Sequence, residues 1–139
     1  MNFIIKLFMS LHVALYRLTG GRVGGSMGAM RVLILTTTGR KTGRTHVNPV
    51  AYFERDGGYL IVASNGGKDS HPSWYFNLKA NPDITIQVKD KQLPVHAEIV
   101  SGEKRAEFWK YVVQSAPNFG DYEKNTKREI PLVFLSQFK

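Results

Sequence analysis

The feature that most restricts the fold is a short reversal: Arg55-Asp56-Gly57-Gly58 lies between THVNPVAYFE (45–54) and YLIVAS (59–64). An Asp-Gly step between two apolar runs turns the chain back on itself within two residues. The runs on either side are therefore expected to pair as antiparallel strands. The pattern recurs along the chain. RVLILTTT (31–38) is a short apolar, β-branched run; ITIQVK (84–89) alternates; Asp90-Lys91 is expected to turn it into LPVHAEIV (93–100); and IPLVFL (130–135) closes the chain. Helices are expected over 3–18, over 73–80 behind Pro72, and over 103–115, with loops at 65–72 and 116–129. The order α-β-β-β-α-β-β-α-β, with hairpin links and few helices, argues for an antiparallel sheet closed towards a barrel rather than a doubly wound sheet. Pro49 falls inside a strand-like run. It is expected at an edge or bulge, where the backbone faces something other than a second strand.

A chain of 139 residues is one folding unit that can bury a core, and with no cysteine it has neither disulfides nor thiolate chemistry. Its net charge of +8 is unevenly spread. Residues 1–53 hold seven Lys/Arg (Lys6, Arg17, Arg22, Arg31, Arg40, Lys41, Arg44) and no acid, whereas residues 54–139 hold twelve basic and eleven acidic residues. Such a field favours an anionic partner. Nucleic acid is not expected, because aromatic residues are not interleaved with the cations as stacking platforms. In residues 3–18, apolar side chains fall on one helical face and Lys6, Ser10, His12 and Arg17 on the other. Two readings stay open: a helix packed on the core, or a basic helix resting on an anionic membrane. No run reaches the roughly 18 apolar residues of a membrane span, and no small-x-small cleavage site precedes Gly20, so a cytoplasmic protein is expected. Five glycines in 19–30 suggest a flexible connector, which divides the chain into an N-terminal piece (1–30) and a main domain (31–139).

Chemistry concentrates in three places. Gly39-Arg40-Lys41-Thr42-Gly43-Arg44 is not a Walker loop, since its Lys-Thr pair lies between the glycines and strand-like residues follow. It nevertheless offers converging amides, a bidentate guanidinium, a point charge and a hydroxyl, so it reads either as a solvated turn or as a seat for phosphate or carboxylate. Ser64-Asn65-Gly66-Gly67-Lys68 would let a flat ligand approach the backbone. His71-Pro72-Ser73-Trp74-Tyr75-Phe76-Asn77 would put Trp74 either in the core or on a ligand-site wall. His12, His46, His71 and His96 lack metal-ligand spacing, and no metal is expected. Tyr122, in a polar loop with Asp121 and Lys124, could donate a proton or be surface decoration.

The blocks LTTTGRKTGRTHVNPV, DGGYLIVASNGGKDSHPSWYFNLKANP and IPLVFL, in order over about residues 30–136, resemble the deazaflavin-dependent nitroreductase family of actinobacteria. The resemblance implies an α+β fold built on a mainly antiparallel split β-barrel with peripheral helices. It also implies coenzyme F420, a deazaflavin with an anionic phospholactyl–polyglutamate tail, with flavin mononucleotide as the alternative. The implied reaction is hydride transfer from the reduced deazaflavin to a quinone, nitroaromatic or activated enone; a carrier of the same fold without catalysis is the other reading. By the same resemblance Arg40, Lys41 and Thr42 hold the phosphate, and His46, Val47, Asn48, Pro49, Val50 and Ala51 line tail and ring. Val62, Ala63, Ser64 and Asn65 offer backbone groups to the ring edge, Ser73, Trp74, Tyr75, Phe76 and Asn77 close the site, Phe119 lies beside the ring, and Tyr122 and Ser64 are the candidate catalytic hydroxyls. The family's nitroreducing pattern has tyrosines where this chain has Ala116 and Phe119. Two hydroxyls are thereby absent from the implied acceptor pocket, which favours quinones and enones over nitroimidazoles. His46 and Asn65 replace basic residues of the family pattern, so the grip on the tail is expected to be weaker or pH-dependent.

Overall fold

A computed structural model describes residues 3–22, 25–27 and 30–138. Helix α1 (Phe3–Thr19) is followed by strands β1 (Ser26–Met27), β2 (Met30–Thr38), β3 (Thr45–Arg55) and β4 (Gly58–Val62). A 3-10 turn (Asn65–Gly67) leads to α2 (Ser73–Ala80), then β5 (Asp83–Val88), β6 (Lys91–Ile99), α3 (Gly102–Ser115), α4 (Asn118–Lys124) and β7 (Leu132–Gln137). Antiparallel pairing runs β1-β2-β3-β4-β7-β6-β5, and a β2–β5 pairing (Ile34↔Gln87, Leu35↔Ile86, Thr36↔Thr85) closes β2 to β7 into a six-stranded barrel. This is the expected α+β barrel.

The reversal between β3 and β4 forms as the sequence requires. Arg55 pairs with Gly58, and the two residues between them, Asp56 and Gly57, both have positive φ (52° and 77°), which matches the right-handed twist of the strands. Pro49 pairs with Ile34 of β2, while pairing of β3 with β4 begins only at Tyr52. The half of β3 that contains Pro49 therefore has one strand neighbour, as its proline demands.

Four differences from the sequence expectation stand out. The β5–β6 turn is Lys89-Asp90, between paired Val88 and Lys91, with Lys89 at φ 57°. The last strand starts at Leu132 rather than residue 130, because Pro131 has no N–H; its carbonyl instead accepts from Ala63, which has left the β4 ladder. Residues 118–124 form α4 where a loop was expected. Part of the expected connector pairs as β1 with β2; Val23, Gly24, Gly28 and Ala29 lie outside the described residues.

Two apolar clusters explain the unbroken apolar runs. Leu33, Leu35, Ile61, Ile86, Val95 and Leu135 fill the barrel together with Trp74, Tyr75 and Leu78 of α2, which plugs one end. Leu60, Val62, Phe53 and Leu132 face outward and are covered by Phe108, Trp109 and Val112 of α3 and Phe119 of α4. Ile34, on the outer face of β2, packs on Val13 and Tyr16 of α1. Strands buried on both faces lose the alternation that a half-exposed strand shows.

Candidate functional site

The basic loop is a closed turn. The Gly39 N–H donates to the Arg44 carbonyl (2.7 Å), the Gly43 N–H to the Gly39 carbonyl (2.9 Å), and the Arg44 N–H to Thr42 Oγ1 (3.2 Å). Gly39 packs closely on its neighbours: a Cβ there would lie 2.8 Å from His46 Nε2 and 3.0 Å from Thr42 Oγ1, so those side chains would have to shift. Arg40 is tied to α2. Its backbone N–H and Nη1 both donate to Asn77 Oδ1 (3.2 and 2.8 Å), Nη1 also reaches the Ser73 carbonyl (3.4 Å), and the guanidinium lies 5.1 Å from the centre of the Phe76 ring. Asn77 is 3% exposed, and its Nδ2 donates to Thr37 Oγ1 on β2 (3.4 Å), so a buried amide joins strand, loop and helix. Lys41, Thr42 and Arg44 are exposed. The ion pairs among the described residues use Arg31, Arg55, His96, Lys104 and Arg105, and none involves this loop. Three cations thus stand together without a neutralising acid.

Two of the hollows along β3 bear on the site. A cavity of about 290 Å³ is lined by Val50 and Ala51 of β3, Val62 and Ser64 at the end of β4, Asn65, Trp74 of α2, and Phe119 and Tyr122 of α4, together with Met30, Pro72 and Asn118. A larger hollow of about 740 Å³ lies between α1 and β3 and is lined by Met9, Val13, Ala14 and Leu18 with Arg17, His46, Val47 and Asn48. The larger hollow is not the better candidate for chemistry. The smaller one collects both candidate hydroxyls, Ser64 and Tyr122, and lies at the low end of the roughly 300–1,000 Å³ of small-molecule sites.

Most of the residues singled out from the sequence fall into three adjoining groups. Arg40, Lys41, Thr42, Ser73, Phe76 and Asn77 belong to the basic loop and its tie to α2. His46, Val47 and Asn48 face the hollow beneath α1. Val50, Ala51, Val62, Ser64, Asn65, Trp74, Phe119 and Tyr122 meet in the smaller cavity. Trp74 resolves its two readings by doing both, being buried in the barrel core and edging the cavity. Pro49 lines neither hollow, and Tyr75 belongs to the barrel core. Ala63 was expected to offer a backbone group to the ring edge. Its side chain is fully buried, its N–H donates to Pro131, and its carbonyl accepts from Arg128, so its backbone groups are engaged within the protein. Ala116 is buried in the cluster under α3 and α4 and does not line the cavity, whereas Phe119 does.

Met30, Asn118 and Arg128 were not singled out, and His71 and Pro72 only as the start of a marked stretch, not as site residues. His71 and Pro72 precede α2 in a stretch whose composition already marked it. Arg128 carried no signal, being one cation in a polar loop. In the structure its Nη1 donates to His71 Nδ1 (2.8 Å), which fixes that nitrogen as the acceptor and puts the ring proton on Nε2. Burial, then the neighbouring Arg128 and Lys79, hold the His71 imidazole below its ordinary pKa.

A family model described as F420H(2)-dependent quinone reductase matches residues 8–137. An F420H(2)-dependent quinone reductase of Mycobacterium tuberculosis is 41% identical over 133 residues, covering 93% of this chain and 89% of that protein. Among solved structures, one described as an F420-H2 dependent reductase is 42% identical with a TM-score of 0.69, over 76% of this chain and 93% of that one. Another, described as a domain-swapped dimer, is 42% identical with a TM-score of 0.70, over 76% and 79%. The barrel, the paired hollows along β3 and these likenesses agree: the chain belongs to the F420H(2)-dependent quinone reductase family.

Proposed function

We propose that the Gly39–Arg44 loop holds the anionic tail of reduced coenzyme F420, and that the cavity bounded by β3, the 3-10 turn, α2 and α4 takes its ring with a quinone against it. The observation that carries this reading is the convergence of Val50, Ser64, Trp74 and Tyr122, from four separate elements and segments, on one cavity. The residues fit the cofactor's chemistry. Three exposed cations with no acidic partner among the described residues match a tail of phosphate and carboxylates, and an apolar-walled cavity matches a planar ring.

When bound, the reduced deazaflavin supplies the hydride. The protein does the rest. Lys41, Arg44 and the free N–H groups of Arg40 anchor the tail, and Thr42 can donate its hydroxyl. Trp74, Phe119 and Val50 would exclude water from the cavity and position an acceptor held there, which converts an encounter into a positioned reaction. A quinone that receives a hydride also needs a proton. The Tyr122 hydroxyl is the proposed donor, with Ser64 as hydrogen-bonding partner to the acceptor oxygen. Phe119 in the cavity offers a nitro group no hydroxyl, so quinones are the preferred class and nitroaromatics poorer acceptors.

The test is a fluorescence titration with F420 beside flavin mononucleotide, followed by oxidation of the reduced deazaflavin by menadione. Selective F420 binding and turnover are expected, with kcat lower by about a hundredfold in Tyr122→Phe at unchanged cofactor affinity. Binding without turnover would instead make the protein a carrier. Preference for flavin mononucleotide would overturn the cofactor assignment.

We also infer a peripheral contact with anionic membrane from the cytoplasmic side. α1 docks through Val13 and Tyr16, while Leu7, Phe8, Leu11, Leu15 and Leu18 are exposed, Phe8 at 66% and Leu18 at 82%. Arg17 is on the same helix and Arg22 follows in the turn after it, and no helix among the described residues is long and apolar enough to cross a membrane. Phe8→Ser/Leu11→Ser should release the protein from phosphatidylglycerol vesicles; equal sedimentation of both forms would rule the contact out.

A further inference from the structure

Arg128 makes four hydrogen bonds to one short segment. Nε donates to the Lys68 carbonyl (3.0 Å), Nη2 to the carbonyls of Ala63 (3.2 Å) and Ser64 (2.8 Å), and Nη1 to His71 Nδ1 (2.8 Å). The same stretch ties the segment a second time, where Thr126 Oγ1 donates to Asp69 Oδ1 (2.9 Å). Residues 63–71 surround the 3-10 turn, and Ser64 and Asn65 within them line the cavity; Arg128 itself does not.

The segment would not hold this shape unaided. Asn65 sits at φ 50° and Gly67 at φ 82°, and left-handed backbone at a non-glycine residue costs about 1 kcal/mol or more. The Asn65 side chain offsets part of this by donating to the Ser70 carbonyl (3.0 Å). On the other side of the turn, Gly67 approaches α4 so closely that an added Cβ would lie 3.2 Å from Tyr122 Cδ1. The turn is thus held between a guanidinium fork and the helix that carries the proposed proton donor.

The fork has a directional consequence. In a trans peptide the C=O of one residue and the N–H of the next point opposite ways, and no cis peptide occurs among the described residues. With the carbonyls of Ala63 and Ser64 drawn towards Arg128, the N–H groups of Ser64 and Asn65 are directed away from it. We propose that Arg128 is a positioning residue: by gathering these carbonyls it presents the Ser64 and Asn65 amides as a pair of donors to the oxygen- and nitrogen-bearing edge of the ring in the adjoining cavity. This inference rests on the site reading above. Lysine cannot replace the fork, because one ammonium keeps the charge but cannot span the four acceptors in a planar array.

The experiment compares wild type, Arg128→Lys and Arg128→Ala by F420 fluorescence titration, the absorption band of the bound deazaflavin, and thermal melting. Arg128→Lys is expected to melt near wild type yet bind F420 about tenfold more weakly, the equivalent of losing one hydrogen bond to a charged group, and to lose part of the wild-type band shift. Arg128→Ala should bind as weakly and also melt lower; if it does not fold, the lysine variant alone decides. Wild-type affinity and band shift in Arg128→Lys would overturn the positioning role while leaving the site reading intact. Wild-type protein that does not bind F420 would overturn both.

Discussion

At the scale of single residues, the basic loop separates two duties that its composition joins. Arg40 is a cation and also the partner of buried Asn77, whereas Lys41 is exposed and makes no ion pair among the described residues. Lys41→Ala is therefore expected to weaken F420 binding about tenfold, the scale of one charge-assisted contact, with no change in melting temperature. Arg40→Ala should weaken binding and lower the melting temperature together. Unchanged affinity in Lys41→Ala would return the loop to a plain solvated turn. His71 gives a pH prediction. Arg128 and Lys79 are the charges facing it, with Tyr75 and Phe76 packed on its ring, and protonation would set a second ring N–H, at Nδ1, against a donor that cannot accept. Its folded pKa lies below the ordinary value of 6.5, so its stabilisation is complete above that value and declines as pH falls through it towards the depressed value. Between about pH 7.5 and 5.5 the wild type should lose more melting temperature than His71→Asn, which keeps an acceptor but does not titrate. Parallel losses in the two proteins would refute this. The loop's residues were legible in the sequence because glycine spacing and charge are local properties. The service of Arg40 to Asn77 was not, because the two meet across 37 positions.

At the scale of elements, α1 and α4 show what local pattern can and cannot say. The apolar spacing of residues 3–18 placed α1 correctly but could not say which apolar residues meet the barrel. Tyr16 does so most completely. It is 1% exposed, its hydroxyl donates to the Gln87 carbonyl (3.2 Å) and accepts from the Lys89 N–H (2.7 Å), and burial raises its pKa. Tyr16→Phe leaves both backbone groups without this partner. It should cost about 1–2 kcal/mol, a fall of about 3–6 °C, and loosen α1 as read by faster amide exchange in residues 10–19. A melting temperature equal to wild type would show that the helix is held by Val13 alone. α4 was expected as loop because Asn118, Gly120 and Asp121 are poor helix formers and the helix has only seven residues. It forms because Phe119 packs edge-on against Phe53 (5.9 Å) and because Gly67 admits Tyr122, contacts that no local window contains.

At the scale of the whole molecule, the charge asymmetry becomes a field around the site. Seven cations precede the first acid, Glu54; of the six whose side chains are described, only Arg31 has an acidic partner among the described residues, Glu54 itself at 3.6 Å, and Arg17 lines the larger hollow. Binding of the polyanionic F420 should therefore weaken severalfold as salt rises from about 0.01 to about 1 M, where the screening length falls from about 30 to about 3 Å. A salt-independent Kd would mean that the tail is not read by charge. What the sequence determined by itself was local or additive: hairpins from Asp-Gly and β-branched runs, helices from periodic apolar residues, the charge gradient, and the glycine-bounded basic loop. Barrel closure through β2 and β5, the gathering of Val50, Ser64, Trp74 and Tyr122 around one cavity, and the grip of Arg128 on residues 63–71 came only with the tertiary structure. Each brings together residues tens of positions apart, and such contacts depend on how the barrel closes and packs, which no short stretch of chain encodes.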